Sequence, residues 1–140
     1  MSAIEELSQE EIEELLRASV VGRIGCHAEG ATYVVPIIYA YEGGSVYVAS
    51  VEGRKTRMMR QNPRVCFEVD ERREGGGWRS VIADGTYVEL DETGSERALE
   101  LLAQRFGRSP DGRRRGGGDR QTVCFRIDLR GPTGRAVRRR

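Results

Sequence analysis

The 140-residue sequence predicts a mainly β domain: a six-stranded antiparallel barrel interrupted by short α-helices. Three observations predict it. Six separate runs are rich in Val, Ile, Tyr and Phe, several of them alternating with polar residues. The turn pairs Glu29-Gly30 and Gly43-Gly44 join the early runs as hairpins. Helical spacing is confined to three short segments, so most links are those of an antiparallel sheet.

The elements follow in order. Ser8-Gln9-Glu10-Glu11 forms a capping box, with Ser8 as N-cap and Glu11 at N3. Ile12, Leu15 and Leu16 continue at helical spacing, so an amphipathic helix runs to about Ala18. Val20–His27 and Thr32–Tyr41 read as strands, and Val46–Ser50 as a third. Pro36 cannot donate to a ladder; it marks an edge, a bulge or a place where a ligand replaces the partner strand. Arg54–Gln61 reads as a helix with Met58 and Met59 on its inner side, stopped by Asn62-Pro63. Arg64–Glu71 alternates as a strand, and Arg72–Gly77 is a Gly-rich charged loop. A long strand follows over Trp78–Leu90, then a helix over Glu92–Phe106 with Ala98, Leu101, Leu102 and Phe106 on one face. Gly107–Asp119 reads as a loop without apolar content, and Gln121–Leu129 as the last strand. The expected organisation is one domain over 1–130 and a basic polar tail over 131–140.

Composition narrows the function classes. A chain of this length buries roughly 68% of its unfolded surface, enough for a core without disulfide staples. No run approaches the ~20 apolar residues of a membrane span. The N-terminus is acidic and polar, unlike a secretory or transit peptide, so a cytoplasmic protein is the expectation. The net charge is +1. The clusters Arg113–Arg115 and Arg138–Arg140 lack interleaved aromatics, so no nucleic-acid partner is expected. Cys26, Cys66 and Cys124 lie far apart without a CxxC, which argues against disulfides and zinc. Each sits in an apolar run and reads as a small buried hydrophobe. His27, the one histidine, reads as a structural or surface residue.

The segment Ser50-Val51-Glu52-Gly53-Arg54-Lys55 carries the strongest chemical signal. A strand ends in a hydroxyl, glycine makes a tight turn, and two cations open a helix. Lys55 is the single lysine among 23 basic residues. Free N–H groups at a helix N-terminus attract an anion. Cations there oppose the dipole by roughly 0.3–1 kcal/mol each. Hydrogen bonds to a charged phosphate, at roughly 1.5–3 kcal/mol each, outweigh that cost. By itself the segment reads either as a phosphate site at Arg54 and Lys55 or as two solvated surface charges.

The ordered set Tyr33-Val34-Val35-Pro36-Ile37-Ile38-Tyr39-Ala40-Tyr41, Val46–Ser50, Gly53-Arg54-Lys55 and Asn62–Phe67 resembles the pyridoxamine 5'-phosphate oxidase-like split barrels. Trp78-Arg79-Ser80-Val81 with Gly85 and Glu89, and Phe125–Leu129 with Thr133-Gly134-Arg135, continue the resemblance over roughly residues 8–135. It implies a six-stranded antiparallel split β-barrel of the FMN-binding type. It also implies that Arg54 and Lys55 hold the FMN phosphate, with Ala49 and Ser50 at the strand end beside it. Val35, Pro36, Ile37 and Ile38 match the strand whose backbone lies along the flavin ring. Ser80 matches a polar position that reaches the flavin. Trp78 beside it reads equally as a cofactor contact and as a core or interface aromatic. Tyr39 and Tyr41 read as ordinary strand residues.

The resemblance further implies a homodimer and a small-molecule substrate. It leaves two functions open: an FMN-dependent oxidoreductase, or a non-catalytic protein binding flavin, deazaflavin or haem. The segment 131–140 has no aromatic residue, whereas pyridoxamine phosphate oxidases proper end in an Arg- and Trp-bearing motif; this argues against vitamin B6 oxidation. Ala49 stands where nitroimidazole-reductase-type members often carry His, which argues against that reduction. No catalytic triad, carboxylate pair or metal cluster can be assembled, as suits a protein whose cofactor carries the chemistry.

Overall fold

Eight strands and three helices alternate in the computed structural model, which describes residues 3–107 and 121–138. They are β1 (Ile4–Glu6), α1 (Gln9–Ala18), β2 (Val21–Ala28), β3 (Ala31–Ile38), β4 (Ala40–Glu42), β5 (Ser45–Val51), α2 (Arg54–Gln61), β6 (Arg64–Arg72), β7 (Trp78–Glu89), α3 (Glu92–Phe106) and β8 (Thr122–Val137). The pairings are antiparallel, in the order β3-β2-β6-β7-β8-β5-β4, with β1 paired to β8. The two ends of that order, β3 and β4, are separated in sequence by Tyr39 alone. The sheet must therefore curl until its edges meet. Counting β3 and β4 as one kinked strand, and setting the short β1 aside, recovers the six expected barrel strands.

Local chemistry accounts for the elements. Ser8 and Glu11 form the capping box, with Ser8 N to Glu11 Oε1 at 3.1 Å and Glu11 N to Ser8 Oγ at 3.2 Å. Glu29-Gly30 (φ 50° and 77°) and Gly43-Gly44 (φ 60° and 82°) are left-handed pairs that turn tight hairpins. Pro36 lies on β3, an end strand of the sheet order, where a missing N–H costs least. The core is built from Leu15, Leu16, Ile24, Val46, Val48, Met59, Phe67, Val81, Phe125 and Ile127, all essentially inaccessible.

Tyr39 fixes the kink. It is fully buried, its hydroxyl donates to Leu16 O at 2.6 Å, and its ring meets Phe67 edge-on at 5.2 Å. Gly22 makes room for that pair: a Cβ there would lie 2.5 Å from the Phe67 ring. Tyr41 binds the same helix, donating to Glu13 Oε1 at 2.8 Å.

Three expectations are corrected. Residues 131–137 are not tail but the second half of β8, and β1 is an additional strand laid against it. Gly131-Pro132 reads as a stop, yet Gly131 (φ 56°) lies where the β7–β8 register slips by one residue. The extra residue is absorbed as a bulge and the strand resumes. Cys66 is exposed, because the alternation of β6 turns Val65, Phe67 and Val69 inward; Cys26 and Cys124 are buried as expected. Phe106 is 42% exposed, while Ala98 and Leu101 of the same helix are buried. The expected loop lies, apart from Gly107, outside the described residues.

Tyr39→Phe is expected to lower stability by about 1–2 kcal/mol, since it strips the hydroxyl from a buried carbonyl; equilibrium urea unfolding reads this. Burial pushes Tyr39 up to about 12, above the usual 10, and Tyr41 likewise. The folded state thus holds these protons more tightly, and stability should fall as pH rises from 10 through 12. In Tyr39→Phe that alkaline loss should be smaller.

Candidate functional site

β5 ends at Val51, and α2 starts three residues later beside the β2–β3 hairpin. Here the Arg54 guanidinium carbon stands 4.4 Å from the centroid of the Tyr33 ring. Lys55 is half-buried, and burial holds its ammonium below the usual 10.5. Among the described residues, no carboxylate lies within salt-bridge distance of Arg54 or Lys55. Ser50 is half-buried, and its hydroxyl donates to Val51 O at 3.3 Å.

The helix dipole meets a negative charge of the chain's own. Glu52, one residue before the N-cap Gly53, turns its own carboxylate onto the α2 N-terminus. Glu52 Oε2 accepts from Gly53 N at 3.1 Å and from the buried Thr56 hydroxyl, and Oε1 accepts from Arg60. The Thr56 contact first, then Arg60, hold this carboxyl below its usual range. Arg60 Nε also donates to Glu89 Oε1 at 2.7 Å, which accepts from the Tyr87 hydroxyl at 2.7 Å. The Gly53 N–H is thus satisfied from within the chain, and a negative charge of the chain's own stands at the helix end. What remains unmatched is the pair of side-chain charges. An unpaired, partly desolvated ammonium beside a stacked guanidinium is a donor set suited to phosphate.

The other expected site residues scatter. Val35 and Ile37 point toward the barrel interior. Pro36 and Ile38 point outward, opposite Arg23 and Val21 of β2. Ala49 is half-buried on β5, opposite Cys124. Ser80 is half-buried, opposite Asp70 and Arg135, and Trp78 is 36% exposed, opposite Arg72 and Val137. Gly25, beside Cys26 and thus near Tyr33, is opposite Cys66; Arg72 lies six residues further along β6. At 3.2–3.4 Å per residue that is about 20 Å. One protomer therefore groups Ser50, Arg54 and Lys55 at one end and leaves Trp78 near the other.

Trp78 instead walls a cavity of about 730 Å³ between α1, the β6–β7 turn and the end of β8, with Glu11, Glu14, Arg73, Arg79 and Arg138 around it. Arg79 is held inside by Glu71 Oε2 at 2.5 Å and Glu14 Oε1 at 3.3 Å. The outward sheet face carries Val21, Val34, Ile38 and Ile82, each 44–62% exposed. His27 is exposed and shares a 3.0 Å hydrogen bond with Thr32 Oγ1. Arg138 pairs with Glu5 and Glu11, while Arg113–Arg115 lie outside the described residues. Sequence reasoning missed Tyr33 and the Glu52–Arg60–Glu89 network. Strand alternation places Tyr33 inward with Val35, but nothing local shows that α2 returns to meet it.

Comparison with known proteins places these features. A family model described as pyridoxamine 5'-phosphate oxidase matches residues 8–136. An uncharacterised protein of Rhizobium meliloti (strain 1021) is 36% identical over 87 residues, covering 62% of this chain and 58% of that protein. A FAD-binding protein of Mesorhizobium loti has a crystal structure similar to this one, with a TM-score of 0.80, 34% identity and coverage of 99% and 100% of the two chains. The heme storage protein HutZ of Vibrio cholerae shares the fold, at a TM-score of 0.68, 19% identity and coverage of 89% and 92%. Among the described residues, no helix is long and apolar enough to cross a membrane.

Lys55→Met should raise the melting temperature of ligand-free protein at pH 7. The folded pKa lies below the unfolded one, so the charged form costs stability that returns only as pH rises toward 10.5. A variant melting below wild type would show that Lys55 has a stabilising partner after all.

Proposed function

The chain belongs to the pyridoxamine 5'-phosphate oxidase family, and from that premise we propose that it is an FMN-binding oxidoreductase, working as a homodimer on a small molecule. The observation that carries this reading is the pair Arg54 and Lys55, which stand where β5 hands over to α2 without a carboxylate partner among the described residues. Arg54 and Lys55 would hold the phosphate, with Ser50 and Ala49 beside it. The backbone of Val35–Ile38 offers a surface for a planar ring. When bound, the flavin supplies the hydride chemistry; the chain supplies binding, orientation and a positive field that favours the reduced, more anionic ring.

Dimerisation is supported by the way the residues divide. Trp78 is about 20 Å along the sheet from the Arg54 end within one protomer. The exposed Val21, Val34, Ile38 and Ile82 form an apolar surface that a second copy would cover. In this reading a two-fold partner on that face would supply the Trp78 that this chain holds away from its own cation pair.

Protein purified under native conditions should be yellow and release a molecule of the mass of FMN. FAD, deazaflavin or haem in its place would overturn the FMN assignment. Arg54→Ala and Lys55→Ala should each weaken FMN binding by roughly 10–100-fold, the loss of one charge-assisted contact. Anaerobic mixing with a nicotinamide donor should bleach the bound flavin; a flavin that is never reduced points to a carrier or sensor instead. Light scattering should give twice the 15.7 kDa chain mass, and Ile82→Asp should shift it toward monomer.

A further inference from the structure

The Arg54 guanidinium lies on the Tyr33 ring at 4.4 Å, the distance of a cation stacked on an aromatic face. The two groups differ in freedom. Tyr33 is half-buried on β3 and packs against the core, whereas Arg54 is exposed at the first position of α2. An exposed arginine samples many rotamers, and ordering it when a ligand binds costs affinity. A fixed ring beneath the guanidinium removes part of that cost in advance. The surroundings reinforce the arrangement. Glu52, the acidic residue closest in sequence, is engaged by Gly53 N, Thr56 and Arg60, so it does not draw Arg54 off the ring.

We propose that Tyr33 is a positioning residue: it holds Arg54 ready for the flavin phosphate and thereby sets the preference for FMN over riboflavin. The inference rests on the FMN reading above. It assigns the anion selectivity to a side chain braced by β3.

The test is titration of flavin-free, full-length protein with FMN and with riboflavin, read by flavin fluorescence. Tyr33→Leu should weaken FMN binding by about 3–30-fold, the range of an exposed to partly buried cation–π contact. Riboflavin, which lacks the phosphate, should bind Tyr33→Leu as it binds wild type. Tyr33→Phe keeps the ring and should match wild type. Placed on Arg54→Ala, Tyr33→Leu should add no further loss, which a merely structural role would not produce. Should Tyr33→Leu fail to fold, Arg54→Lys carries the test. It keeps the charge at an exposed site but gives up the planar stack, and should lose FMN affinity by about 3–10-fold. The proposal is overturned if folded Tyr33→Leu or Arg54→Lys binds FMN like wild type, or if Tyr33→Leu weakens riboflavin equally. It is also overturned if the loss persists in full on Arg54→Ala. A wild type that binds no FMN would overturn the cofactor reading itself, and this inference with it.

Discussion

Ile38 and Ala40 end and begin strands at opposite edges of one sheet, yet one residue separates them. Closure of the barrel depends on that residue, Tyr39, holding its turn. Its hydroxyl ties the kink to the last turn of α1 at Leu16, and its ring ties it to Phe67 in the middle of β6. The cost of bending a strand is met by one buried hydrogen bond and one edge-on ring contact. Gly22 is part of the same device, because any side chain there would strike the Phe67 ring. Once the kink is set, β3 is an edge whose outer surface lies open, and β5 is directed toward the β2–β3 hairpin. The position of α2 follows from both.

Charge at the start of α2 is divided between two tasks. Glu52, Arg60, Glu89 and Tyr87 form a network that takes up the Gly53 N–H and joins α2 to β7. Arg54 and Lys55 are left out of it. A half-buried ammonium with no carboxylate partner among the described residues is a cost to the fold. Such costs persist where a ligand offsets them, and they cluster at binding sites. The carboxylate that could have neutralised the pair is turned away by Thr56, a small buried hydroxyl at the third position of the helix.

The outward sheet face is the counterpart of this end. It mixes exposed Val21, Val34, Ile38 and Ile82 with a polar group in which Arg23 reaches both Glu68 at 3.1 Å and Asp70 at 3.2 Å. Burial and the neighbouring Asp70 raise the Glu68 carboxyl above its usual range despite Arg23.

The sequence by itself determined the local elements. The Ser8–Glu11 box, the two left-handed turns, the whole of α2 and the alternation of β6 are visible because caps, turns and strand period act over a few residues. It also determined which charges open α2, since Arg54 and Lys55 stand in plain order after a strand end. Tertiary structure alone decided what those charges meet. That Gly131 carries a bulge and not a stop, that a polar N-terminal segment pairs with β8, and that Tyr39 ends one edge and begins the other depend on partners distant in the chain or across the sheet. The same holds for Tyr33 beneath Arg54 and for Glu52 over the helix end. Pairing and packing join groups that are distant in the chain, and no local pattern records which of them will touch.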